Sequence, residues 1–74
     1  MWIRSQDKEK LIKVNYIRVY KEIIRGFNTA NDVLLGDYST EEKALKVMDI
    51  IEKEIRLDTY QTRVFQMPQD SEVE

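Results

Sequence analysis

An α+β fold, with an antiparallel sheet of four to five short strands and one amphipathic helix packed on one face, is what three features of this sequence predict. The first 38 residues alternate short β-branched and aromatic runs with turn residues. A helix-start signal follows at 39–42, and apolar residues recur at helical spacing behind it. Strands come first, then the helix, then one more short apolar run, which is the order of a meander with a helix laid across it.

WIRS (2–5) is apolar-led and β-compatible, QDKEK (6–10) is a polar turn, and LIKVNYIRVY (11–20) reads as a strand. Pairing of 2–5 with 11–14 across that turn puts Trp2 and Ile3 on opposite faces, one toward the helix and one outward. The alternation within 11–20 slips, because Ile12 and Val14 share one parity and Ile17 and Val19 share the other. A bulge or short turn at Asn15–Tyr16 would reset the faces. KE (21–22) is a tight connection, and IIRGF (23–27) is a further extended run in which Gly26 marks a bulge or a close backbone approach. NTAND (28–32) is a loop, and VLLGDY (33–38) is a strand with Gly36 at a bend.

Ser39-Thr40-Glu41-Glu42 fits a capping box, with the Ser39 hydroxyl accepting from the Glu42 backbone and the Glu42 carboxylate reaching back to Ser39. Ala44, Leu45, Met48, Ile51 and Ile55 then form the apolar face of a helix from near 40 to near 57. Glu42, Lys46, Asp49, Lys53 and Arg56 form its solvated face. LDTYQT (57–62) ends the helix, RVFQM (63–67) is a last short strand, and Pro68 stops it. Residues 1–68 are read as a single domain and 69–74 as a disordered acidic tail.

A domain of 74 residues buries a modest share of its surface and leans on an additional staple. The chain has no cysteine and no histidine. Disulfides, thiolate metal sites and the commonest general base near neutral pH are therefore excluded, and self-association as a homodimer is the staple left open. No apolar run approaches the roughly 20 residues of a membrane helix, and no apolar stretch follows Arg4 as in a signal peptide, so a cytoplasmic protein without a membrane partner is expected.

Chemistry finds little to work with. Ser5, Ser39, Thr40 and Ser71 have no histidine to activate them. Asp32, Asp37, Glu41 and Glu42 cluster in sequence but read as loop solubility and helix capping. Gly26 and Gly36 stand outside any phosphate-cradling loop. No catalytic, cofactor-binding or metal-binding residue is predicted, and no enzyme. The residues left for function are basic and aromatic and lie on the sheet: Trp2, Arg4, Lys13, Tyr16, Arg18, Tyr20 and Arg25. Trp, Tyr and Arg dominate protein-interface hot spots. The same mixture also serves single-strand nucleic-acid binding, which is the alternative reading. Charge is divided, +4 over residues 1–27 and −6 over 28–74, and the net −2 opposes a nucleic-acid partner.

MWIRSQDK followed by LIKVN, and later LLGDYSTEEKALKVMDII, resembles a group of small uncharacterised proteins of Firmicutes, their phages and their integrative elements. The likeness covers the first strand pair and the strand-to-helix junction, and it carries no catalytic motif or site residue across. At the level of class it implies counter-defence, as in anti-CRISPR proteins, which inhibit a host defence complex by protein–protein binding. The partner implied is a host protein or ribonucleoprotein complex.

Overall fold

The first hairpin forms where the alternation puts it. β1 (Trp2–Arg4) pairs antiparallel with β2 (Leu11–Lys13), Trp2 opposite Lys13 and Ile3 opposite Ile12. Ile3 is fully buried and Trp2 faces outward, so parity separates them as predicted. Asp7 closes the turn between them. Its carboxylate accepts from the Ser5 hydroxyl and, at 2.9 Å, from the Glu9 N–H, while Lys10 Nζ lies 3.1 Å from its other oxygen. On its other edge β1 pairs in parallel with β6 (Val64–Gln66), Ile3 opposite Phe65.

This computed structural model describes residues 1–57 and 64–73. Residues 58–62 of the helix exit predicted over 57–62, Arg63 of the last predicted strand and Glu74 of the predicted tail lie outside them. Within them the chain is α+β, as the sequence predicts, with six strands, one long helix and a 3-10 turn.

The strands form two sheets rather than one. β3 (Tyr16–Tyr20) pairs with β4 (Ile23–Phe27), and β4 pairs with β5 (Asp32–Asp37), all antiparallel. The run 11–20 therefore supplies two strands. The Val14 N–H bonds the Met1 carbonyl in the first sheet, and the next N–H, of Asn15, bonds the Phe27 carbonyl in the second. The parity slip at Asn15–Tyr16 marks the place where the chain leaves one sheet, order β2–β1–β6, for the other, order β3–β4–β5. Residue periodicity reports which face of a strand is apolar, not which strand lies beside it, so it leaves this choice open.

A bulge between Ile24 and Arg25 shifts the β4–β5 register and turns the adjacent Leu35 and Gly36 both inward. Gly26 and Gly36 are close-approach glycines. A Cβ on Gly26 would stand 2.8 Å from the Leu35 and Val14 side chains, and one on Gly36 would stand 2.7 Å from the Tyr38 ring.

α1 (Glu41–Leu57) packs on β3 and β4 through Ala44, Val47 and Ile51, with Met48 half-buried. Leu45 and Ile55, predicted to face inward, are exposed. At about 100° per residue, choosing Val47 as the inward neighbour of Ala44 turns Leu45 to the flank. The cap also differs by one residue. Thr40 Oγ1 accepts from the Lys43 N–H at 3.1 Å and the Thr40 carbonyl from the Ala44 N–H at 3.2 Å. The Ser39 N–H instead donates to Asp70 Oδ1 at 2.8 Å, which displaces Glu42 from its predicted role.

Asp70 belongs to the stretch predicted as a disordered tail, and this too is corrected. Asp70–Glu72 form a 3-10 turn, and Val73 is buried in the common core with Ile3, Leu35 and Tyr38. Lys43 Nζ reaches the Asp70 carbonyl at 3.2 Å and its carboxylate at 3.4 Å. The Tyr38 hydroxyl donates to the Pro68 carbonyl at 2.8 Å, and Gln69 Nε2 to the Gln6 carbonyl at 2.7 Å. One valine to bury and one carboxylate between a free N–H and a lysine are enough to fix a segment that is otherwise acidic and polar. No helix among the described residues is long and apolar enough to cross a membrane.

Candidate binding surface

Of the seven residues predicted to bind a partner, six are exposed and Arg25 is half-buried. The structure divides them between two faces. Trp2, Arg4 and Lys13 lie on the outer face of the first sheet. Tyr16, Arg18, Tyr20 and Arg25 lie on the outer face of the second.

On the first sheet, Trp2 occupies the central strand at 38% exposure, with Lys13 beside it on β2 and Val64 beside it on β6. Arg4 has Leu11 and Gln66 as its neighbours in the same way. Leu11 and Val64 are both strongly exposed. Arg4, Lys8, Lys10, Leu11 and Val64 border a shallow groove of about 420 Å³ with Glu9. The Arg4 Nε donates to the Lys8 carbonyl at 3.0 Å, which ties the strand to the turn. The Ser5 hydroxyl, the Glu9 N–H and the Lys10 ammonium together hold the Asp7 carboxyl near 2, so this turn keeps its charges well into acid. Leu11 was legible as an outer residue, since it shares the parity of Lys13. Val64 was not, because its place beside Trp2 depends on a pairing across most of the chain.

On the second sheet, cross-strand neighbours build the face in three rows. Tyr16 stands opposite Phe27 with ring centroids 5.4 Å apart, Arg18 opposite Arg25, and Tyr20 opposite Ile23. β5 adds Asp32 opposite Phe27, Leu34 opposite Arg25, and Asp37 opposite Ile23. Arg25 Nε lies 2.8 Å from Asp32 Oδ1, and Lys21 Nζ sits 5.5 Å from the centroid of the Tyr20 ring. A depression of about 380 Å³ runs between Arg18, Tyr20, Ile23, Arg25, Phe27 and Asp32. Asp32 and Asp37, which with Glu41 and Glu42 read in the sequence as loop solubility and helix capping, are the carboxylates of this face. Among the described residues no three carboxylates come together as metal ligands.

The perturbed groups elsewhere hold the fold. Burial, then the charges of Asp70 and Glu72, push the Tyr38 hydroxyl above the ordinary phenol range. The Ser39 N–H, with its hydroxyl and Lys43, holds Asp70 below the ordinary carboxylate range. A third concavity, about 410 Å³, lies between the C-terminal half of α1 and the β2–β3 corner, lined by Met1, Val14, Ile17, Met48 and Ile55 among others.

No family model, curated protein or solved structure matches this chain.

Proposed function

We propose that this is a non-enzymatic protein that acts by protein–protein contact through the outer face of its first sheet, with Trp2 at the centre of the contact. The observation that carries the reading is the placement of Trp2. It stands on the middle strand, partly open to solvent, with exposed Leu11 and Val64 near it and Arg4 and Lys13 at its sides. A large aromatic ringed by aliphatic groups and cations is the composition of an interface hot spot. Packing alone does not require it there, since Ile3 and Ile12 already fill the inner side of the same hairpin. Arg4, Lys8, Lys10 and Lys13 outnumber Asp7 and Glu9 around it, so the partner patch is acidic.

The resemblance of MWIRSQDK and LLGDYSTEEKALKV to proteins of phages and mobile elements supports a counter-defence role, with a host defence protein or ribonucleoprotein complex as the partner, met in the bacterial cytoplasm. Expression in a host carrying known defence systems tests this. The wild-type chain is expected to relieve phage restriction, and a folded Trp2→Ala, Arg4→Glu variant is expected not to. If the wild type leaves restriction by every resident system unchanged, the counter-defence role is wrong.

Direct nucleic-acid binding is the second reading. Tyr16 and Tyr20, both exposed on either side of Arg18 along β3, have the form of a stacking platform, and this favours it. Asp32 and Asp37 on the same face weigh against it. This reading requires single-stranded RNA or DNA to bind at low salt and to dissociate steeply as salt rises.

A further inference from the structure

The outer face of the second sheet has no cover among the described residues, since α1 packs on β3 and β4 from the other side. Its charge is graded across the strands. β3 carries a cation, Arg18, and no acid. β5 carries Asp32 and Asp37 and no base. β4 lies midway between them, and its own Arg25 is already paired with Asp32 at 2.8 Å. A face whose positive and negative strands flank a central strand is complementary to itself at those flanks, while on the axis Arg25 meets Arg25 of the second copy, each neutralised by its own Asp32.

The direction of the symmetry axis follows from the register. A two-fold axis parallel to β4, set between two such faces, carries β3 of one copy over β5 of the other at the same height. Tyr16 then faces Asp32 of the second copy, Tyr20 faces Asp37, and Arg18 lies over Leu34 between the two carboxylates. Sheets packed face to face sit about 10 Å apart, a gap that a tyrosine and an aspartate can span hydroxyl to carboxylate. An axis across the strands would instead stack Arg18 on Arg18 and Asp32 near Asp37, like charge on like. Phe27, Ile23 and Leu34 supply the apolar contact in the strand-parallel arrangement.

We infer that the protein associates with a second copy of itself by packing the outer faces of its two second sheets, β3 over β5, about a two-fold axis parallel to the strands. This goes beyond the binding face proposed above and does not depend on it, because the dimer is built from the second sheet and the Trp2 face belongs to the first. It supplies the staple that a small chain without cysteine or histidine lacks. It also covers Tyr16 and Tyr20, and so competes with nucleic-acid binding there.

Sedimentation equilibrium of the full chain, from about 1 µM to about 500 µM, reads the association over a range suited to a small interface. The wild type is expected to pass from monomer to dimer. Arg18→Glu and Asp37→Lys, each on an exposed side chain, are each expected to weaken self-association about tenfold or more. Mixed together, the two variants are expected to form a heterodimer tighter than either variant's homodimer, because Glu on β3 of one then meets Lys on β5 of the other while the second contact stays native. Trp2→Ala is expected to leave the dimer unchanged. A wild type that stays monomeric throughout overturns the inference. So does a dimer that neither charge variant weakens, a mixture that fails to associate, or a monomer whose Tyr16–Tyr20 face takes single-stranded RNA.

Discussion

Asp7 holds the first turn closed with one carboxylate shared among a hydroxyl, a backbone N–H and an ammonium. Its pKa of about 2 lies below the ordinary 3.8. A carboxyl whose pKa is lower folded than unfolded contributes stability that is complete above the ordinary value, erodes as pH falls from there toward 2, and is gone below it. The urea midpoint of the wild type should therefore fall through that window, and Asp7→Asn should flatten that part of the profile. Tyr38 offers a second measure at this scale. Its hydroxyl is satisfied by the Pro68 carbonyl, and its ring lies against Gly36. Tyr38→Phe should cost about 1 kcal/mol. Gly36→Ala should cost about 1–3 kcal/mol, because the added methyl meets the ring. Thermal melts read both. In the sequence Gly26 reads as a bulge or a close approach and Gly36 only as a bend. That the approaching group at Gly36 is the ring of Tyr38 depends on side-chain packing, which no periodicity encodes.

The start of α1 shows why an element can be legible and its boundary not. Ser39 and Thr40 are both good capping residues, and local pattern favoured Ser39 because Glu42 follows at the right distance. The choice is made by Asp70, 31 residues away, which takes the Ser39 N–H and leaves Thr40 to cap. Thr40→Ala should cost about 1 kcal/mol, and Ser39→Ala less, since the main Ser39 contact is through its backbone. Removing residues 69–74 should destabilise the fold more than Ser39→Ala does and speed amide exchange in the first turn of α1. It frees the Ser39 N–H and Lys43 and uncovers the core where Val73 sits. Acidic, polar composition hid this segment, because what orders it lies in the residues it meets. The strand 11–20 is the same lesson in the other direction. Its parity slip was plain, but a slip alone does not distinguish a bulge from a change of sheet.

At the scale of the molecule, the division of charge along the chain becomes a division in space. The basic residues of 1–27 spread over β1 to β4 and their turns, and the described acids of 28–74 over β5, α1 and the 3-10 turn. That separation was readable from the sequence, as was the α+β class. The two-sheet arrangement was not, since the parity slip at Asn15 does not say that β2 and β3 part there, and β6 joins β1 from across the chain. It gives the two outer faces separate uses in the readings above, and the single tryptophan distinguishes them. Trp2 reports on the first sheet alone, so its emission and its access to acrylamide should change when an acidic protein partner binds. They should stay constant as self-association through the second sheet proceeds.

The parallel pairing of β1 with β6 also bears on how the chain is made. A ribosome delivers β1 and β2 early, yet the edge of β1 that β6 covers stays open until residues 64–66 emerge. The second sheet is drawn from 16–37, so all of it is available long before then. The first sheet is therefore the last to be completed. The vulnerable species during synthesis is a nascent chain with its hairpin formed and the β1 edge bare as well as the β2 edge, the state in which truncated products would be expected to aggregate.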